Sequence, residues 1–164
     1  MFSQQEKKTI EIPIPGAETL RLDYLVADFN GTLAADGVLL PGVVDTIWLL
    51  AKLLDLHVVT ADTHHNARNA LAGLPCELIV LPEDAQDVAK WQYVQTLGAP
   101  RCVCIGNGCN DQLMLEAAGL GIAVIQNEGV AVKALLAADV AATDINAALG
   151  FLLNPQRLVA TLRV

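Results

Sequence analysis

Residues 24–33 read Tyr-Leu-Val-Ala-Asp-Phe-Asn-Gly-Thr-Leu. A short apolar run ends there in a carboxylate, Asp28, and Gly31 follows where the chain must turn sharply or let a ligand approach its backbone. In a buried parallel strand this places the acid at the carboxyl edge of the sheet, where open α/β sheets bind ligands. Read alone, Asp28 is equally a turn carboxylate that caps the next segment. A second stretch shifts the balance. Gly106-Asn107-Gly108-Cys109-Asn110-Asp111 also follows an apolar run, Arg101 to Ile105. Between the two stretches lie Thr60, ending the run from His57, and Lys90, inside a helical segment. Together they offer a carboxylate nucleophile, a hydroxyl and an ammonium for an anion, and amide and carboxylate oxygens for a hard cation. Mg²⁺ prefers such oxygens and usually keeps water and substrate phosphate as well. An ammonium, backbone N–H groups and a cation around one anion describe a phosphate site. An aspartate aimed at phosphorus forms an aspartyl-phosphate, splitting one hard displacement into two.

The elements that must bring these residues together are legible in outline. Residues 9–14 alternate apolar and polar, Pro15-Gly16 breaks the run and Thr19 to Leu22 resumes it, a hairpin or edge strand feeding the strand Tyr24 to Asp28. A glycine- and proline-marked excursion after Leu33 forms a small flap. Helices are expected over 42–55, 63–73, 84–97, 111–118, 129–138 and 144–153, and further strands at 57–60, 77–81, 101–105, 122–125 and 138–142. Pro155 and the tail dock as a final helix or strand. This alternation predicts an α/β fold with a Rossmann-like, doubly wound, mainly parallel sheet. The expected organisation is one domain over 1–164: edge strands in 1–22, a catalytic-type core in 23–145 and a helical tail in 146–164.

Composition narrows the partners. Hydrophobic residues make up 54% of the 164 and charged residues only 17%, below the usual quarter. That much apolar surface points to a homo-oligomer. The net charge of −8 disfavours nucleic acid and anionic membranes. No run reaches the roughly eighteen apolar residues of a membrane span, and the first residues carry no apolar stretch of signal-peptide type. The four cysteines, Cys76, Cys102, Cys104 and Cys109, have spacings of neither a zinc site nor a disulfide framework. A reduced cytoplasm is the simplest setting.

Asp-Phe-Asn-Gly-Thr-Leu at 28–33 resembles the first motif of the haloacid dehalogenase (HAD) superfamily, Asp-x-Asp-Gly-Thr-Leu. Thr60 matches its second motif and Lys90 its third. Gly-Asn-Gly-Cys-Asn-Asp at 106–111 matches its fourth, usually Gly-Asp-Gly-x-Asn-Asp. Order and spacing agree over about residues 20–145, and the likeness is strongest to the phosphorylation domain of P-type ATPases and to small soluble proteins similar to it. The resemblance implies a HAD-like fold and a Mg²⁺-dependent phosphohydrolase acting on a small phosphorylated substrate or a phosphoprotein. Asp28 would be nucleophile and metal ligand. The Asn30 backbone carbonyl and Asn107 would be further ligands, with Asp111 orienting Lys90 and the metal shell. Gly31, Thr60, Lys90 and Asn110 would hold the phosphoryl group. The spacing leaves no room for an inserted cap domain, so the site is open to water and to large substrates unless a neighbouring subunit closes it.

The chain departs from the motif twice. Asn30 stands where the family has the aspartate that serves as general acid and base, and Asn107 where it has a metal-binding carboxylate. An amide cannot shuttle a proton, and such catalysis is typically worth about 10²–10⁴-fold. P-type ATPases also lack the second acid, and their phospho-aspartate persists. The readings left open are a slow phosphatase, a lingering phosphoenzyme, and a regulatory module that binds phosphate or metal and assembles without turnover. A two-component receiver fits poorly, because the Gly31-Thr32 turn has no place in it.

The remaining candidates have plainer readings. Asp62, His64 and His65 suggest a transition-metal site, but Asp62 or Thr63 is expected to cap a helix, with the adjacent histidines pointing apart. Cys109 is read as a loop thiol, Asp36 as a solvated flap acid, and Trp48 and Trp91 as packing groups.

Overall fold

The computed structural model describes residues 8–62 and 65–164. Pro13 to Gly16 interrupts the first alternating run, and its two halves fold back on each other. β1 (Ile10–Ile12) pairs antiparallel with β2 (Leu20–Leu22) in the register Ile10↔Leu22. Of the two arrangements expected here the hairpin is realised; it joins no edge of the main sheet. Its inward residues Ile10, Ile12 and Leu22 are buried in the larger core.

β3 (Tyr24–Asp28) is the centre of the main sheet. Leu25, Val26 and Ala27 are all buried, the continuous apolar reading of a strand covered on both faces. A flap hairpin of β4 (Ala34–Ala35) and β5 (Val38–Leu39) follows, then α1 (Val43–Leu50). The chain continues through β6 (Asp55–Thr60), α2 (Asn66–Ala70), β7 (Glu77–Val80), α3 (Gln86–Leu97) and β8 (Cys102–Gly106). After a 3-10 turn at Cys109–Asp111 come α4 (Gln112–Ala117), β9 (Leu120–Val124), α5 (Val132–Ala137), β10 (Val140–Ala142), α6 (Ile145–Leu153) and α7 (Gln156–Leu162).

Six strands form one parallel sheet in the order β10-β9-β8-β3-β6-β7. From β3 the chain builds outward through β6 and β7, then crosses to the other side of β3 for β8, β9 and β10. The strand order therefore reverses between β3 and β8, the switch point at which such sheets open a crevice beyond their carboxyl ends. Asp28 and Gly106 end the two strands that flank it. One face is covered by α1 and α6 over Leu25 and Ala27, the other by α3, α4 and α5 over Val26, Val59 and Cys104.

Several element boundaries differ from the periodicity, most of all those of the helices on either side of β6. The helix expected over 42–55 stops at Leu50, because Asp55 N–H donates to Asp23 O at 2.9 Å and Asp55 pairs in register with Tyr24. The helix expected over 63–73 is described only from Asn66 to Ala70; Thr63 and His64 lie outside the described residues, as do 1–7 of the N-terminal segment. Trp48 and Trp91 are not core groups: they are 51% and 38% exposed, because Ile47 and Lys90, one residue earlier, take the buried face.

Phe29 lies between the site residues Asp28 and Asn30, and its ring is fully buried in the core below the turn. We expect Phe29→Ala to cost about 3–5 kcal/mol in denaturant unfolding; a loss below about 1 kcal/mol would mean that the ring does not anchor the turn.

Candidate active site

Asp28 ends β3 with 7% exposure, and the chain turns at once behind it. Gly31 N–H donates to Ala34 O at 2.7 Å and Thr32 N–H to Phe29 O at 3.2 Å. Gly31 has φ +81, the left-handed region that favours glycine, and a Cβ there would collide with the Glu128 carboxylate and the Asn107 amide. The turn aims the Thr32 hydroxyl back at the site, where it donates to Asp28 Oδ2 at 3.2 Å and lies 3.4 Å from Asn107 Oδ1.

Lys90 reaches the same point from α3. Its Nζ donates to Asp28 Oδ1 and to Asp111 Oδ1, both at 2.7 Å, and the residue is 1% exposed. Asp111 is fully buried, and its other oxygen accepts the N–H groups of Asn107 and Gly108, each at 2.9 Å. Gly106 makes this fold-back sterically open, since a Cβ there would strike the Asp111 carboxyl. Both Asp111 oxygens are thus engaged, and its place is behind Lys90 and the turn, orienting them.

One ammonium between two carboxylates leaves a surplus negative charge in a buried site. Burial, and then repulsion from Asp111, pushes the Asp28 carboxyl up to about 7 against the pull of Lys90. Burial by itself would lower Lys90, but Asp28 and Asp111 outweigh it and hold the ammonium above its ordinary range.

Thr60, ending β6, is buried, and its hydroxyl accepts Asp62 N–H at 3.3 Å, so its own hydrogen is available to a ligand. The Asn107 amide is held by its NH₂ on Gly129 O at 3.2 Å, which turns Oδ1 toward Thr32 and Asp28. Asn110 donates to Gln86 Oε1 at 2.9 Å at the mouth of the crevice. Asn30 is exposed and accepts Gly37 N–H at 2.9 Å through its side-chain oxygen. The amide therefore ties down the flap. These groups line a polar opening of about 310 Å³ that includes Asp28, Asn30, Thr60, Asn107, Asn110 and Glu128, at the small end of ligand-site volumes.

Among the described residues no three His, Cys, Asp or Glu side chains form a ready metal cage. The oxygens that fit are Asp28 Oδ2 and Asn107 Oδ1, both within 3.4 Å of the Thr32 hydroxyl, and the surplus negative charge favours a hard cation beside them. Asp62 accepts the N–H groups of Ala67 and Arg68 at 2.7 and 3.3 Å, the work of a helix cap. His65 and Cys109 are exposed, and Asp36 sits in the flap turn with φ +49.

Glu128, Gln86 and Gln126 are absent from the sequence-derived set. Gln126 Nε2 donates to Gly31 O and Thr32 O at 3.1 and 3.0 Å, and its Oε1 accepts Ile145 N–H at 2.9 Å, clamping the loop after β9 onto the Asp28 turn. The signal that could have found Glu128 is its place just past the carboxyl end of another parallel strand.

No family model matches the chain. An uncharacterized protein of Methanocaldococcus jannaschii is 51% identical over 83 residues, covering 48% of this chain and 89% of that one; the chain belongs to one family with it. Among solved structures, the cobalt-bound deoxy-D-mannose-octulosonate 8-phosphate phosphatase of Haemophilus influenzae aligns with TM-score 0.68 at 15% identity, over 87% of this chain and 94% of that one. The 3-deoxy-D-manno-octulosonate 8-phosphate phosphatase of Moraxella catarrhalis, in complex with magnesium, phosphate and KDO, aligns with TM-score 0.62 at 18% identity, over 87% and 94%. A haloacid dehalogenase-like hydrolase of Streptococcus pneumoniae aligns with TM-score 0.59 at 15% identity, over 79% and 98%. The chain has the HAD fold.

The raised Asp28 carboxyl sets a pH dependence. Its folded value of about 7 lies above its ordinary 3.8, so the fold favours the protonated form. That contribution is complete below pH 3.8 and is lost as pH rises through about 7. Without metal, melting temperature should fall as pH rises from 3.8 to about 7, and Asp28→Asn should flatten the fall; equal slopes for the two proteins would refute the assignment.

Proposed function

We propose that this HAD-fold protein is a Mg²⁺-dependent phosphohydrolase that works through an aspartyl-phosphate on Asp28. The observation that carries this reading is the buried Lys90 ammonium 2.7 Å from both Asp28 and Asp111, at the sheet's switch point and open to a polar crevice. An Asp28 oxygen attacks phosphorus as the bond from phosphorus to the leaving oxygen breaks. Water then attacks the same phosphorus, releasing inorganic phosphate and the carboxylate. Lys90 and the Thr60 hydroxyl hold the phosphoryl oxygens, with the Gly31 turn and the Asn110 amide beside them. Asp28, the Asn30 backbone carbonyl and Asn107 would hold the cation, with Asp111 placing the loop and Lys90. Bound Mg²⁺ supplies charge neutralisation for the incoming phosphoryl group.

Asn30 decides the substrate class. Its side-chain oxygen is engaged by Gly37, and an amide has no proton to give, so the leaving group must depart as an anion. The substrate is then a phosphate with an acidic leaving group, an aryl or acyl phosphate. The same deficit slows attack by water and lengthens the life of the phosphoenzyme. Self-association belongs to this reading, since Trp48, Leu49 and Val44 leave an apolar face on α1 that is 51%, 50% and 39% exposed. No helix among the described residues is long and apolar enough to cross a membrane.

With Mg²⁺, p-nitrophenyl phosphate or acetyl phosphate should be hydrolysed, and Asp28→Asn should abolish the activity. Asn30→Asp should raise kcat, within about 10²–10⁴-fold, by restoring a proton shuttle. No turnover from either protein, with phosphate still bound, would replace the enzyme by a binding module. Light scattering should give a mass above that of one chain, which Trp48→Glu lowers; a monomer at all concentrations would refute self-association.

A further inference from the structure

Glu128 rides on a turn that is fastened to the site on both sides. Gly129 N–H donates to Gln126 O at 2.7 Å, closing a tight turn with Glu128 next to its apex, and Gly129 has φ +75. Both ends of that turn are fastened to the site. On one side Gln126 donates to the carbonyls of Gly31 and Thr32. On the other, Gly129 O accepts the Asn107 amide at 3.2 Å, and Ala131 N–H donates to Asn107 O at 2.8 Å. The result brings the Glu128 carboxylate and the Asn107 amide over the same face of Gly31, and Glu128 lines the crevice with Asp28 and Thr60.

Charge explains what the carboxylate does there. Asn107 contributes an oxygen and no charge, so the buried set of Asp28, Asp111 and Lys90 carries one surplus negative charge against a divalent cation. Glu128 adds a second beside Asn107. Mg²⁺ characteristically keeps several waters, and it is across such a water that the carboxylate acts. We propose that Glu128 is the positioning carboxylate of the divalent-cation site, accepting hydrogen bonds from cation-bound water and restoring the charge absent at Asn107. This inference rests on the metal-dependent reading above.

The experiment is a titration of the full chain with Mg²⁺ and Mn²⁺, followed by calorimetry and by the rise in melting temperature, without substrate. Loss of such an outer carboxylate typically costs about 10–100-fold in metal affinity. Glu128→Gln should therefore weaken binding by that factor, Glu128→Asp should recover part of it, and the metal-free melting temperature should stay at the wild-type value because the side chain is exposed. Repeating the titration at 1 M salt, where screening acts within about 3 Å, should preserve the difference. Equal affinities for wild type and Glu128→Gln, with Asp28→Asn still impaired, would overturn the role of Glu128 and leave the phosphohydrolase reading standing. A difference that vanishes at high salt would reduce Glu128 to a distant charge. No metal binding by the wild type would overturn both readings.

Discussion

Lys90 holds its ammonium 2.7 Å from two carboxylates with almost no contact with water, and the architecture of the site follows from that contact. Three separate segments supply its members: the end of β3, the inner face of α3 and the turn after β8. A buried charge without partners is among the most costly features a fold can carry, and removing one member strands the others. Each segment is therefore fixed relative to the other two. Burial first, and then the negative charge of Asp111, raises the Asp28 carboxyl against the pull of Lys90.

The two asparagines do structural work that aspartates would do differently. The Asn107 amide faces two ways at once, its NH₂ on Gly129 O and its oxygen toward Thr32 and Asp28. A carboxylate would repel the Gly129 carbonyl. Asn30 accepts from the backbone of the flap, coupling the small hairpin to the turn that carries Asp28. Phosphoryl transfer depends heavily on positioning and electrostatic stabilisation, so under the proposed reading the two asparagines would alter the lifetime and leaving-group demands of the reaction more than its type.

The periphery is consistent with that division. The flap is only a pair of two-residue strands, and the crevice beside it remains open. What lies over the site comes from loops at the same sheet edge, tied down through backbone carbonyls and amides. The Gln126 side chain, which belongs to no motif, is one of those ties.

Local chemistry was legible where it is dictated by neighbours in the chain. The buried strand at Tyr24–Asp28, the Gly31 turn and the alternation of strands and helices all follow from side-chain type and short spacing. The HAD fold that these imply is the fold observed. Helix ends were less legible: α1 stops early because strand pairing recruits Asp55, a long-range bond that periodicity does not encode. The half-exposed Trp48 shows the same gap, since apolar character does not tell which helix face meets a neighbour. The exposure of Glu128 over Gly31, the double engagement of Asp111 and the single ammonium shared by two acids were decided only in three dimensions. Glu128 lies 97 positions from Gly31, and Lys90 lies 62 from Asp28 and 21 from Asp111; contact at that range is set by sheet order and packing.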